Sequence, residues 1–332
     1  MSRVLEVENL RISFPAAQGT RVYPVDGVSF GLERGKTLAL VGESGCGKSL
    51  TSLALLQLVP SPGRIEPGSR ISLGSEDVLA LKGEALRRIR GRRIGMIFQD
   101  PMTSLNPVFT VGDQIVEGIH AHFKMPRSKA RERALHLLQE VGIPDPGGRL
   151  DAYPHQLSGG MRQRVMIAIA LAAEPEILVA DEPTTALDVT VQAQILEVLD
   201  RLRTSRGMAV LLITHDLGIV AGRADRVAVM YAGQIIEETS TARLFANPSH
   251  PYTQGLFASV PRISGPLKRL TPIGGSVPAP SAWPSGCRFR PRCPKAFDRS
   301  ELEPPLLPVE PDHRMRCWLA EEQADFAADQ RR

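Results

Sequence analysis

Residues 42 to 49 read Gly42-Glu43-Ser44-Gly45-Cys46-Gly47-Lys48-Ser49. The pattern is glycine, four residues, then Gly-Lys-Ser, and it restricts the fold more than any other stretch. Glycines let a backbone curl until several N–H groups converge on phosphate oxygens. Lys48 offers a point charge for β- and γ-phosphates, and the Ser49 hydroxyl is a Mg²⁺ ligand. The arrangement works between a strand and a helix, because the helix N-terminus adds its dipole. The flanks comply. Thr37 to Val41 is a short apolar run that reads as a buried strand, and Lys48 to Val59 carries Leu50, Leu53, Leu55, Leu56 and Leu58 in a helical pattern. An α/β core is expected, with Gly42, Glu43, Ser44, Gly45, Cys46, Gly47, Lys48, Ser49 and Leu50 around a bound phosphate chain.

The chain has 332 residues, 42 % of them hydrophobic, which is enough for one large domain with an appendage or for two domains. A net charge of +4 is small for this length and makes no case for nucleic acid. No stretch approaches roughly 18 uncharged apolar residues, so no membrane-spanning helix is expected. Residues 1 to 8 place glutamates where a signal peptide needs an apolar core, which points to the cytoplasm. Of four cysteines, Cys46 lies in the phosphate loop, while Cys287, Cys293 and Cys317 cluster in the tail. In a reducing compartment that cluster suggests a metal or free thiols before disulfides.

Val4 to Val7 alternates as a strand. Asn9 to Phe14 follows, then a polar turn at Gln18-Gly19-Thr20, and Val28 to Leu32 reads as another strand. An aromatic residue here could stack on adenine, since every base offers a π-face. Phe14 is the first candidate and Tyr23 the second, although Phe14 also reads as an ordinary strand residue. Pro60 to Gly74 is turn-rich. Lys82 to Arg93 carries Arg87, Arg88, Arg90, Arg92 and Arg93, a solvated face by default and otherwise a dock for an acidic partner or lipid headgroups. Ile94 to Phe98 is a strand that ends at Gln99, the end where ligands bind in open α/β sheets. Val111 to His122 and Ser128 to Val141 read as helices of an insertion in the α/β core.

Leu157-Ser158-Gly159-Gly160-Met161 opens a helix. Ser158 is a good N-cap and the glycines leave N–H groups exposed at the positive helix end, a second anion site unless it is a plain cap. Ile177 to Glu182 is a buried strand ending in two carboxylates. Asp181 can hold Mg²⁺ directly or through water, and Glu182 can orient and deprotonate an attacking water. Ala186-Leu187-Asp188 precedes a helix from Val191 to Leu202. Met208 to Thr214 is a strand that delivers His215 to its C-terminal end, either a structural residue or a donor to a γ-phosphate. Arg226 to Glu238 reads as a hairpin about Gly233, and the core is expected to close near Leu244.

In this order, Gly42 to Ser49, Gln99, Leu157 to Met161, Ile177 to Glu182, Ala186-Leu187-Asp188 and His215 resemble the Walker A, Q-loop, signature, Walker B, D-loop and H-loop of ABC transporter ATPase subunits. That resemblance covers residues 1 to about 245. A narrower one follows. Phe98 to Pro107, His250 to Leu256 and Gly286 to Cys293 resemble the Q-loop stretch and C-terminal extension of dipeptide and oligopeptide permease ATPases.

The resemblance implies an α/β P-loop NTPase core with an N-terminal antiparallel β subdomain and a helical insertion at about 102–170. These lie within a nucleotide-binding domain of residues 1–245, and 246–332 form the extension. It implies ATP and Mg²⁺, with Lys48, Gln99, Glu182 and His215 in catalysis and Ser49, Gln99 and Asp181 at the metal. Two such subunits would sandwich ATP head to tail, so Ser158, Gly160 and Asp188 would face nucleotide held by a partner ATPase. Two membrane permease subunits and, indirectly, a solute-binding protein complete the expected importer, peripheral on the cytoplasmic face of the inner membrane. The cargo class is di- or oligopeptides, with glutathione or nickel as alternatives. A soluble ABC ATPase acting on ribosomes or DNA and a redox- or metal-gated module are the competing readings. Some relatives hold an iron–sulfur cluster on four tail cysteines. Here Cys287, Cys293 and Cys317 match and Ser300 stands in for the remaining one, so a cluster would need Ser300 or His313 to complete its ligands.

Overall fold

Parallel strands covered on both faces are apolar along their whole length, and three such strands organise the first of two units. The computed structural model describes residues 3–185, 187–259 and 272–321. The chain divides into one unit of Met1–Leu5, Leu32–Thr37 and Leu73–Ile213, and a second of Glu6–Gly31, Leu38–Ser72 and Thr214–Arg332.

In the first unit, Ile94–Ile97 pairs in parallel with Ile177–Asp181, which pairs in parallel with Ala209–Thr214. The last two strands are buried at every residue. The helical insertion contains Val111–His120 and Arg127–Glu140. Thr110 caps the first of these by accepting from the Asp113 N–H at 3.2 Å. Gly159–Leu171 and Val189–Arg206 are the other long helices. Gly207 ends the latter at φ 62, a left-handed residue that lets the chain leave the helix. In the arginine-rich stretch, Arg87, Arg88 and Arg92 are exposed, as a solvated face would be. Arg93 bridges Glu76 at 2.7 Å and Glu176 at 2.9 Å, and Arg92 stacks over Phe123.

In the second unit the strand Thr37–Val41 runs parallel to Arg226–Tyr231, with Leu38 opposite Arg226. Arg226–Tyr231 and Gln234–Ser240 form the expected hairpin about Gly233, at φ 82. His313–Met315 extends this sheet against Glu237 and Glu238, and Leu307–Glu310 adds an edge strand. One core joins Ala39, Val41, Val229, Tyr231, Tyr252 and Phe289, with Trp283, Cys287 and Cys293 against it. The rings of Tyr231, Tyr252 and Phe289 meet pairwise at centroid distances of 4.7, 5.3 and 5.4 Å. A second, antiparallel system places Arg21–Glu33 beside Arg3–Pro15, which pairs with Arg70–Leu73.

Several boundaries differ from the sequence expectation. The phosphate-loop helix spans Lys48–Ala54 and stops short of Val59, because the chain tightens and Gln57 turns to φ 49 ahead of Pro60. The turn-rich stretch 60–74 contains two short strands, Arg64–Ile65 and Arg70–Leu73, recruited by pairing to Arg3–Pro15. Long-range pairing overrides local turn chemistry there. Arg3–Pro15 and Arg21–Glu33 are each continuous 13-residue strands, longer than the runs Val4–Val7 and Val28–Leu32.

Candidate functional site

The phosphate loop begins where the buried strand Thr37–Val41 ends. Gly42 fits because an added Cβ would lie 2.2 Å from the Met230 carbonyl oxygen and 2.8 Å from Cys46 Sγ. Gly45 and Gly47 take φ values of 79 and 106, a region that side chains disfavour. Lys48 is 4 % exposed, and its Nζ donates to the Gly42 carbonyl at 2.8 Å and the Glu43 carbonyl at 3.0 Å. Thr51 Oγ1 donates to the Gly47 carbonyl, and Gly233 N–H donates to the Cys46 carbonyl. Burial pushes the Cys46 thiol up and keeps it protonated, against the pull of the nearby Lys48. Ser44 and Gly45 are exposed, and Ser49 and Leu50 are half-buried.

Two loop contacts lay outside the sequence expectation. The Glu43 N–H donates to the Tyr252 hydroxyl, and its carboxylate pairs with Arg292. Tyr252 sits inside a stretch singled out by family resemblance. Arg292 likewise lies inside such a stretch, Gly286 to Cys293, but nothing there points to the phosphate loop. Of the adenine candidates, Phe14 lies over Gly63, where a Cβ would come within 2.4 Å of its Cζ. Tyr23 lies under the Arg11 guanidinium at 4.7 Å.

In the first unit, Asp181 is 3 % exposed at the last position of its strand. Glu182 follows at φ 46, a strained conformation for a side-chain-bearing residue. Its N–H donates to the Ile213 carbonyl at 2.9 Å, so it continues the strand pairing while its side chain turns aside. Gln99 Nε2 and Thr185 Oγ1 both donate to Glu182 Oε2 at 3.0 Å. The structure thus brings Gln99, from one strand end, to Glu182, at the next. Thr185 was not singled out by sequence, since a threonine in a loop carries no periodic signal.

Ser158 caps Gly159–Leu171, accepting from the Met161 N–H at 3.3 Å. Gly160 abuts Val191, where a Cβ would lie 2.5 Å from Cγ1. Asp188 caps the next helix, Oδ1 accepting from the Val191 N–H at 2.9 Å. The signature stretch and Asp188 are therefore neighbours. Ala186 lies outside the described residues. His215 follows directly on the strand Ala209–Thr214 and is exposed.

Cys287, Cys293 and Cys317 line one cavity of about 10 Å³ with Ser300 and His250. Burial pushes all three thiols up, Cys317 to about 11, so they rest as neutral thiols. The Ser300 hydroxyl caps a helical turn by accepting from the Phe297 N–H. His313 has both ring nitrogens engaged, Nδ1 by Arg243 and Nε2 by Glu237. His313 is not part of that cavity's lining, the Ser300 hydroxyl that does line it is already engaged by Phe297, and among the described residues no group of His, Cys, Asp and Glu is placed to hold a metal ion. As placed, these side chains do not fit a cluster.

Residues 25–185 match the family model for ABC transporters, and residues 236–299 match that for the oligopeptide/dipeptide transporter C-terminal region. The chain is 50 % identical to the dipeptide transport ATP-binding protein DppD of Bacillus subtilis strain 168, over 98 % of both chains. It is 51 % identical to the oligopeptide transport ATP-binding protein AppD of the same organism, over 97 % of this chain and 98 % of that one. Among solved structures, the dimeric ATP-binding cassette MJ0796 bound to ADP and Pi superposes with a TM-score of 0.63 at 26 % identity, covering 71 % of this chain and 98 % of that one. The cbiO1 component of the cbiONQ transporter complex from Clostridium perfringens gives 0.63 at 28 % identity, covering 74 % and 92 %.

Proposed function

Because the chain belongs to the ATP-binding subunits of dipeptide and oligopeptide ABC transporters, we propose that Glu182 is its hydrolytic base, set by Gln99 and Thr185. The protein is an ATP-hydrolysing subunit of a peptide importer. The observation carrying the base assignment is the convergence of Gln99 Nε2 and Thr185 Oγ1 on Glu182 Oε2 at 3.0 Å. Both are neutral donors, and they orient the carboxylate that must take a proton from water.

The phosphates of ATP fit the loop for two reasons. Gly42 and Gly47 leave no room for a Cβ, and Lys48 is buried against loop carbonyls, from which it can move onto phosphate oxygens. The donor set of Ser49, Gln99 and Asp181 is all oxygen, as Mg²⁺ requires. Bound there, the ion would neutralise charge on the β- and γ-phosphates. With Gln99 Nε2 given to Glu182, its amide oxygen is the atom suited to the cation. Phosphoryl transfer then needs mainly positioning and electrostatics. Lys48 holds the phosphates, Glu182 orients the water, and His215 donates to the γ-phosphate. Phe14 is the adenine platform. Ser158, Gly160 and Asp188 of one subunit close on nucleotide held by a second ATPase subunit.

The nucleotide-binding domain is assigned to residues 1–245, with the insertion at 102–170, and the extension to 246–332. Among the described residues no helix is long and apolar enough to cross a membrane. As a member of this transporter family, the chain works at the cytoplasmic face of the inner membrane through permease subunits, supplied by a solute-binding protein. Peptide is the cargo class, as in the relatives' names. The tail cysteines are assigned no metal. Stoichiometric iron or zinc that disappears in Cys293→Ser would reinstate a tail site.

Single-turnover hydrolysis by Glu182→Gln tests the central assignment. A rate reduced by at least about a hundredfold is expected for loss of the base, with ATP binding retained. A near wild-type rate removes Glu182 from the role. Reconstitution with permease and binding protein, scored by which cargo stimulates turnover, tests the substrate class.

A further inference from the structure

Glu43, the second residue of the phosphate loop, is held at all three of its polar groups. Its N–H donates to the Tyr252 hydroxyl at 3.1 Å. Its carbonyl accepts from Lys48 Nζ at 3.0 Å. Its carboxylate takes both ends of the Arg292 guanidinium, Nη1 on Oε1 at 3.1 Å and Nη2 on Oε2 at 3.2 Å. Tyr252 and Arg292 are 209 and 249 residues further along the chain.

Both partners are themselves fixed. The Arg292 side chain is only 6 % exposed. Its Nε donates to the Gly274 carbonyl at 2.8 Å, and its guanidinium lies 5.7 Å from the Tyr231 ring. Tyr252 is fully buried in the aromatic group with Tyr231 and Phe289. Burial, then the Glu43 charge, pushes the Tyr252 phenol up, so its oxygen stays a neutral acceptor for the Glu43 N–H. A two-pronged arginine–carboxylate pair, with the Arg292 side chain 6 % and the Glu43 side chain 30 % exposed, fixes its geometry better than a single exposed ion pair.

This matters for the loop because Ser44 and Gly45 are exposed and Gly45 and Gly47 are conformationally permissive. Ordering such a backbone costs about 1–2 kcal/mol per residue, so a loop already ordered binds phosphate more tightly. We propose that Arg292, with Tyr252, is a positioning residue for nucleotide binding. The C-terminal extension sets the phosphate loop through Glu43, and the loop reaches full affinity for ATP only with the extension docked. The proposal rests on the reading of residues 42–49 as the ATP site.

The test uses the full-length chain and measures the Kd of a fluorescent ATP analogue together with KM and kcat. Arg292→Ala should raise Kd and KM roughly tenfold, equivalent to 1.4 kcal/mol, with kcat within about twofold of wild type. Arg292→Lys keeps the charge but loses the fork, and should fall between the two. In a Glu43→Gln background, Arg292→Ala should add little. Wild-type Kd and KM in Arg292→Ala would overturn the proposal. A tenfold loss that persists undiminished in the Glu43→Gln background would also overturn it, since Arg292 would then act by some route other than Glu43. If Arg292→Ala does not fold, Arg292→Lys and Glu43→Gln decide by the same readouts. A wild-type chain unable to bind the analogue would instead sink the ATP-site reading itself.

Discussion

The Glu237 carboxylate meets the His313 imidazole at 2.9 Å, and both side chains are fully excluded from solvent. Arg243 Nε donates to His313 Nδ1, which leaves Nε2 to carry the proton toward Glu237. The same carboxylate accepts from the Ser249 N–H at 2.8 Å and the His250 N–H at 3.0 Å. One buried charge therefore joins Gln234–Ser240, the turn before Pro251–Ser259 and His313–Met315. Removing it should be costly, because its donors lose their acceptor in a dry site. Glu237→Leu is expected to lower the unfolding free energy by at least about 3 kcal/mol, read by chemical denaturation. A change below 1 kcal/mol would mean that the donors find other acceptors.

The same region sets an acid limit. Burial lowers the His250 pKa from 6.5 to about 4, and its Nδ1 accepts from the Tyr252 N–H. Burial pushes the Glu237 carboxyl up, but the hydrogen bond from His313 and the two backbone N–H groups more than offset this and hold it below 4.5. Both folded-state values are depressed, so both contributions are present above the unfolded values and are lost as pH falls. For His250 that window runs from pH 6.5 down to about 4. Between pH 6.5 and 5, His250 alone should cost about 1–2 kcal/mol of stability. His250→Gln should flatten the pH dependence over this interval, whatever its effect at pH 7. An unchanged slope in denaturation at the two pH values would remove His250 from the acid response.

If Glu182 is the base, as proposed, Thr185 should support it. With Thr185→Ala, Gln99 is the remaining neutral donor described on Glu182 Oε2. Losing one hydrogen bond to a charged carboxylate costs about 1.5 kcal/mol or more, so kcat should fall by at least about tenfold with Kd for ATP unchanged. A shift in Kd without change in kcat would place Thr185 at the nucleotide and not at the base.

These relationships mark the limit of what the sequence shows. Strand, loop and helix around Lys48 were legible because the signal is local: an apolar run, glycines and a helical period within about twenty residues. Asp181, Glu182 and Gln99 were legible as strand ends for the same reason. Their meeting through Glu182 Oε2 was not, since Gln99 and Glu182 are separated by 83 residues. Glu43–Arg292 and Glu237–His313 are also long-range pairs, and nothing in the local composition of Arg290-Pro291-Arg292 selects one arginine as the loop's partner. The strands at 64–65 and 70–73 were hidden likewise, because their order comes from Arg3–Pro15 and not from their own turn-rich sequence.

The two signature glycines should respond differently to a methyl group. At Gly159 an added Cβ would meet Leu187 Cδ2 at 3.5 Å, an ordinary contact with the tip of a flexible side chain. At Gly160 it would lie 2.5 Å from Cγ1 of Val191, a β-branched residue with little rotameric freedom, in the helix capped by Asp188. Gly160→Ala must therefore move the start of its own helix away from Val189–Arg206. The helix N-terminus that we assign to the partner's ATP would then be displaced. Hydrolysis should drop by at least about tenfold, roughly the effect of a 1.4 kcal/mol misplacement. ATP binding at the variant's own phosphate loop should stay near wild type, because Gly42 to Ser49 is untouched. Mixing Gly160→Ala with Glu182→Gln sharpens the test. A mixed dimer pairs one intact signature with one intact base at a single site, and it should recover part of the activity that each variant lacks alone. No recovery in the mixture, with dimer formation verified, would argue against a site shared between two subunits.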